Sequence, residues 1–138
     1  VSELVRVSIS LEQALLEKLE ALVEQSGYGN RSEFIRDLIR ARLVEEAWEA
    51  DEEAIGTISL VYDHHARQLG EKLTDLQHDH HEQVLATTHV HLSHDLCAEV
   101  IIVKGRASEI RGLADSIRKQ KGVLHAELSM GSTGQDLA

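Results

Sequence analysis

One alternating segment at the start of this chain, with nothing nearby to pair with it, limits what the sequence can fold into. Val5, Val7 and Ile9 fall on one face and Arg6, Ser8 and Ser10 on the other, the pattern of a half-buried strand. Helical spacing follows at once, with Leu11, Leu15, Leu16, Leu19, Leu22 and Val23 in an apolar stripe. No second strand lies within reach of a hairpin. A lone strand leaves a row of unpaired amides and carbonyls, so its partner is expected on another chain, most simply as a symmetric antiparallel pair in a dimer.

Gly27-Tyr28-Gly29 breaks the first helix, and Asn30 is placed to cap a second, with Glu33 three residues on reaching back as in a capping box. Phe34, Ile35, Leu38, Ile39 and Leu43 give that helix its buried stripe. Its free N-terminal amides, beside Asn30, Arg31 and Ser32, form an anchor for a phosphate. A strand, a helix, a glycine turn and a second helix in this order resemble the ribbon-helix-helix transcription regulators, in which paired strands enter the DNA major groove. By match of position, Arg6, Ser8 and Ser10 would meet the bases, where Arg bonds a guanine edge in bidentate fashion and Ser is more permissive. The chain of 138 residues has a formal net charge of −10, which overall disfavours nucleic acid, so the inference rests on the placed residues. The acidic stretch from Val44 to Glu53, around Trp48, reads as a solvated helix tail and linker.

A second module begins near Ile55. Thr57–Tyr62 reads as a strand, 63–77 as a helix, Val84–Leu92 and Leu96–Lys104 as a hairpin, 106–121 as a helix and Val123–Met130 as a last strand. The order βαββαβ is ferredoxin-like, so the chain is an α+β protein with a ribbon-helix-helix domain over 1–50 and a second domain over 51–138. Val84, Ala86, Val90 and Leu92, with Val100 and Ile102, suit the helix-covered face, which leaves the face of Leu85, His89, His91 and Cys97 open. Residues 131–136 have the composition of a disordered end. No apolar run is long enough to span a bilayer, and a single Cys fits a reducing compartment, so the cytoplasm is expected.

The chemistry gathers between Gln77 and Cys97, in QHDHHEQVLATTHVHLSHDLC. His89 and His91 share a strand face. With Ser93, His94 and Asp95 as the turn, His91 comes opposite Cys97 and His89 opposite Glu99. His64, His65, His94 and His125 read as ordinary solvated histidines. No CxxC or HExxH is present. Two imidazoles and a thiolate suit zinc, copper or nickel over calcium or magnesium. As three corners of a square they favour Ni(II) or Cu(II), with His78, His80 and His81 as candidates for the fourth.

A ribbon-helix-helix head joined to a βαββαβ module with this His/Cys set resembles the NikR family of nickel-responsive transcriptional regulators. The resemblance is carried by VSISL, GYGNRSEFIRDLIR, QHDHH, THVHLSHDLC and AEVIIVKG and covers nearly the whole chain. It implies an ACT-like second domain and a homotetramer, a dimer of dimers. It also implies one Ni(II) per chain, held by His89, His91 and Cys97 of one subunit and His78 of its neighbour. Asp79 interrupts the histidine run that the family often has, which weighs against an auxiliary site at His80 or His81. Glu99 is placed to fix an imidazole through its second nitrogen. Glu33 and Asp37 resemble a pair that holds a further cation in some members, although such a pair more often meets Arg36 or Arg40. The implied output is double-stranded operator DNA binding that represses nickel uptake. Rival readings are a nickel storage or delivery protein, a copper- or zinc-responsive regulator, and, last, a metalloenzyme, for which no general base stands beside the ligands.

Overall fold

The computed structural model describes residues 3–138, which fall into two compact units, one of residues up to 43 together with 134–138 and the other of 44–133. The division lies inside the second helix rather than at the expected boundary after residue 50. The first unit holds α1 (Gln13–Ser26) and the start of α2 (Arg31–Glu49). Gly27 ends α1 in the left-handed conformation at φ 76°, where a Cβ would be strained, and its N–H returns to the Glu24 carbonyl. Asn30 caps α2, its Oδ1 accepting from the Glu33 N–H at 2.9 Å. The Glu33 carboxylate goes to Arg36.

Residues 3–12 are exposed and belong to no strand. A ladder needs two strands, and a single chain offers the expected one no partner. The same incompleteness shows in α1, which buries no residue at all. Val5, Val7 and Ile9 remain 77%, 78% and 64% exposed. Near the end of the chain the Leu137 carbonyl accepts from Arg40 Nε at 3.0 Å.

The second unit contains β1 (Glu53–Asp63), α3 (Leu69–Asp79), β2 (Val84–His91), β3 (Leu96–Arg106), α4 (Ala107–Arg118) and β4 (Val123–Met130). The sheet is antiparallel in the order β2-β3-β1-β4, the expected ferredoxin-like arrangement. Helix α3 starts later than its apolar spacing suggests, because the Asp63 carboxylate takes the His65 N–H at 2.8 Å and Gln68 sits at φ 60°. His64 and His65 therefore lie in a loop.

The two sheet faces are reversed relative to the expectation. Ile58, Leu60 and Tyr62 of β1 and Cys97, Ile101 and Val103 of β3 join Ile110, Leu113 and Ile117 of α4 and Leu69 and Leu73 of α3 in one core. Val90, Leu92, Val100 and Ile102 lie on the open face, 37–56% exposed. Both faces of β3 are apolar, so hydrophobicity alone does not orient it. Its neighbour does: Thr57 and Ser59 put the polar side of β1 outward, and Ile58 pairs with Ile101. A register shift between Val84 and Ala86 returns Val84 to the core side and leaves Leu85 56% exposed.

Trp48 is a second correction. Inside the acidic run that reads as a solvated tail, it is 1% exposed and belongs to the core of the second unit. Its Nε1 donates to the Gly131 carbonyl at 2.9 Å, and Arg111 lies over its ring at 5.4 Å. Gly56 makes room for it: a Cβ there would lie 2.8 Å from Ile110 and 3.4 Å from the indole. Replacing Trp48 by Ala is expected to cost about 3–5 kcal/mol. Urea unfolding followed by circular dichroism measures this, since the substitution also removes the only tryptophan.

Candidate metal centre

The β2–β3 hairpin has the register expected from the Ser93–Asp95 turn, with His91 opposite Cys97 and His89 opposite Glu99. Because β1 pairs with β3 on the other side, Tyr62 also lies opposite Cys97. The thiol is fully buried, whereas His89 and His91, on the edge strand beyond the helices, are exposed. A sulfur floor with imidazoles at its rim results.

Two imidazoles converge on that sulfur. His91 Nδ1 lies 3.3 Å and His64 Nδ1 3.2 Å from Cys97 Sγ, and the ligand atoms of the three residues all fall within 4.8 Å of one another. The His64 and His89 rings stand edge-on to His91, with centroids at 5.3 and 5.0 Å. His89 Nδ1 is 3.1 Å from the Tyr62 hydroxyl. Burial, helped by the charges of Glu99 and Cys97, pushes the Tyr62 phenol up to about 12, so it stays a proton donor to that imidazole.

Glu99 is 8% exposed, and its burial raises the carboxyl above its ordinary range against the opposing effects of Gln77 and His89. Gln77 Nε2 donates to Glu99 at 3.4 Å while its Oε1 accepts from the Thr87 hydroxyl at 2.6 Å. One amide thus ties the last turns of α3 to β2 and β3. His78 follows directly, exposed, with its ring 6.1 Å from that of His81 and outside the group around Cys97. His80 and His81 each direct Nδ1 at a backbone carbonyl, of Leu76 and His78, so both rings carry that proton and leave Nε2 free.

His64 is the residue that sequence reasoning missed, having read it as solvated. The signal lay in the sheet order: β1 beside β3, in register through Asp63 and Leu96, carries the next residue to the β2–β3 turn, where the His64 N–H donates to the Asp95 carbonyl at 2.8 Å. Tyr62 was missed for the same reason, as it acts across the sheet, and Gln77 because it acts from α3 onto the sheet.

In the first unit, Arg6, Ser8 and Ser10 are exposed, as are Asn30, Arg31 and Ser32. Arg31 lies 3.6 Å from Glu20 in an exposed pair that holds it only weakly. The Glu33 carboxylate meets Arg36, and that of Asp37 meets Arg40 and the Tyr28 hydroxyl, which lowers the Asp37 carboxyl below its ordinary value. Both carboxylates are thus engaged by their neighbours.

Residues 5–46 match the ribbon-helix-helix proteins of the copG family, and residues 55–131 match the NikR C-terminal nickel-binding domain. The chain belongs to the NikR family. Among its relatives, a protein of Geobacter sulfurreducens named "Putative nickel-responsive regulator" is 50% identical over 98% of both chains. One of the same name from Desulfotalea psychrophila is 53% identical over 96% of this chain and 97% of its own. An uncharacterized protein from Thermotoga maritima shares the fold, with a TM-score of 0.52 and 14% identity over 57% of this chain and 98% of its own. The first matched region contains Arg6, Ser8 and Ser10, and the second contains the His/Cys set.

Gln77→Ala leaves the Glu99 carboxylate without its amide. A loss of about 1–3 kcal/mol is expected in urea unfolding of the metal-free protein.

Proposed function

We propose that this protein represses nickel-uptake genes by binding operator DNA when Ni(II) occupies a site built from His89, His91 and Cys97 of one subunit and His78 of another. The observation that carries the reading is the register that sets His91 opposite a buried thiol, with His89 two residues along on the same face of its strand. Nitrogen and sulfur donors on such a face suit a square Ni(II) site, and the ion would supply charge and geometry rather than chemistry on a substrate. The protein acts in the cytoplasm as a regulator rather than a catalyst, and among the described residues no helix is long and apolar enough to cross a membrane.

The working assembly is a homotetramer, a dimer of dimers, with one Ni(II) per chain. Two chains pair their N-terminal strands, so that Arg6, Ser8 and Ser10 enter the major groove and Asn30, Arg31 and Ser32 anchor the flanking phosphates. Metal held between subunits favours the arrangement in which both heads engage one operator, and the second head then binds at a high effective concentration. By linkage, operator DNA raises the affinity for nickel by the same factor.

A second reading of the ligand set rests on His64. Its Nδ1 already lies 3.2 Å from Cys97 Sγ, so His64, His89, His91 and Cys97 could close a site within one chain. The readings part on two variants. In the intersubunit site, His78→Ala weakens Ni(II) binding by at least about tenfold and uncouples it from oligomer state, while His64→Ala has little effect. The reverse pattern in nickel titrations followed by thiolate-to-metal absorption would establish the one-chain site. Cys97→Ala abolishes that absorption in either case.

Arg6→Ala is expected to cost about 1–3 kcal/mol of operator discrimination while nickel uptake is unchanged. Competition binding against non-operator DNA at fixed salt measures it. Undiminished specificity would remove the ribbon from the mechanism.

A further inference from the structure

The head that meets DNA carries more negative than positive charge. Residues 3–43 contain six Lys or Arg against seven Asp or Glu. Duplex DNA is held chiefly by cations on its phosphates, so a surface of this balance has little affinity for DNA in general. Three of the arginines are also engaged by carboxylates of the same unit, Arg31 by Glu20, Arg36 by Glu33 and Arg40 by Asp37. The last two pairs each join residues three apart along α2. The first joins two helices, since Glu20 lies in α1 and Arg31 is the first residue of α2, directly after the capping Asn30. Arg31 Nη1 and Glu20 Oε1 are 3.6 Å apart, with 58% and 56% of the two side chains open to water.

We propose that Glu20 sets the DNA affinity of the head: its carboxylate occupies Arg31 in the free protein and must be displaced by a DNA phosphate. The inference rests on the reading of Arg31 as a phosphate anchor. At this distance and exposure the attraction is too small to brace the two helices, yet every contact between Arg31 and a phosphate must first break it. The charge left on Glu20 then stands beside the incoming phosphate, well inside a Debye length, and repels it. Both effects are independent of base sequence, because phosphates carry no sequence information. Glu20 therefore lowers the affinity for all duplexes alike and leaves the choice among them to the ribbon. Two Arg31 side chains serve each paired head, so the effect acts twice there and leaves a single head with a weak hold. Engagement of both heads then becomes necessary, which is the step that nickel is proposed to control.

The test titrates the full-length protein, with and without Ni(II), onto a duplex of scrambled sequence at several salt concentrations and follows binding by fluorescence anisotropy. Glu20→Gln, which removes the charge and keeps the shape, is expected to bind this duplex more tightly, by about 1.4-fold to 5-fold for each Arg31 engaged. Its affinity is expected to fall more steeply with salt, because in the unsubstituted protein salt weakens the competing pair along with the phosphate contact. The gain is expected to vanish in an Arg31→Ala background. Unchanged binding by Glu20→Gln would overturn the role, and so would weaker binding, the result of a pair that only braces the helices. An equal gain in the Arg31→Ala background would overturn it as well, marking a general effect of net charge. A nickel-loaded protein that selects no sequence from fragmented genomic DNA would instead remove the DNA-binding reading, and this role with it.

Discussion

The pairing of β1 with β3, along all 11 residues of β1, is the constraint on which the rest of this structure depends. It sets Tyr62 opposite Cys97 and Leu60 opposite Glu99, and carries His64 to the turn that ends β2. A slip of one residue would exchange the faces of β3, sending Cys97 to the open side and Ala98 to the core. Ile58, Leu60, Ile101 and Val103, each no more than 2% exposed, make that slip costly. The register that positions His89, His91 and Cys97 is therefore held by the apolar core in which Cys97 itself sits. A central ladder also explains why the donors collect at one edge: the helices cover β1 and β3, and only β2 presents its inward-facing imidazoles to water.

Around the thiol the protein concentrates groups that are awkward to ionise together. Tyr62, Glu99 and Cys97 are all buried, and desolvation raises both the phenol and the carboxyl. Each negative charge makes the next more costly in such surroundings. A divalent cation at the sulfur reverses this, since it favours thiolate and stabilises a neighbouring carboxylate. Metal affinity and the ionisation of this small region are thus one equilibrium. Gln77 joins α3 to it, because the amide that meets Glu99 belongs to the residue just before His78. A charge change at Glu99 is felt at the end of the helix that carries the proposed fourth ligand.

Much of this was legible in the chain, and what was not shares a physical cause. The His89, His91 and Cys97 alignment follows from a period of two and a short turn, both local. The capped start of α2 at Asn30 and the βαββαβ order are local as well. The orientation of β3 was misread because Val100 and Ile102 are as apolar as Ile101 and Val103, and only the polar Thr57 and Ser59 on the neighbouring strand decide the matter. Trp48 was hidden by its acidic neighbours, since a charge run describes a helix surface and not the one side chain that leaves it. The place of His64 depends on a loop and a turn far apart in sequence, and no spacing rule links those positions before the sheet order is known.

The first unit and the metal centre call for different kinds of association. Val5, Val7 and Ile9 stand mostly exposed, and burial of each such side chain contributes about 1.5–3 kcal/mol. Together they reach the scale of a small domain's whole stability, so in the proposed dimer each head gains stability from the other by mass action. None of these residues is a metal donor, which makes the proposed head pairing independent of nickel. The fourth ligand is different: if His78 comes from another subunit, that contact is strengthened by each ion bound. In the proposed assembly, a dimer that persists without metal, joined to an interface that metal reinforces, leaves nickel to decide whether two heads act together, rather than whether either head exists.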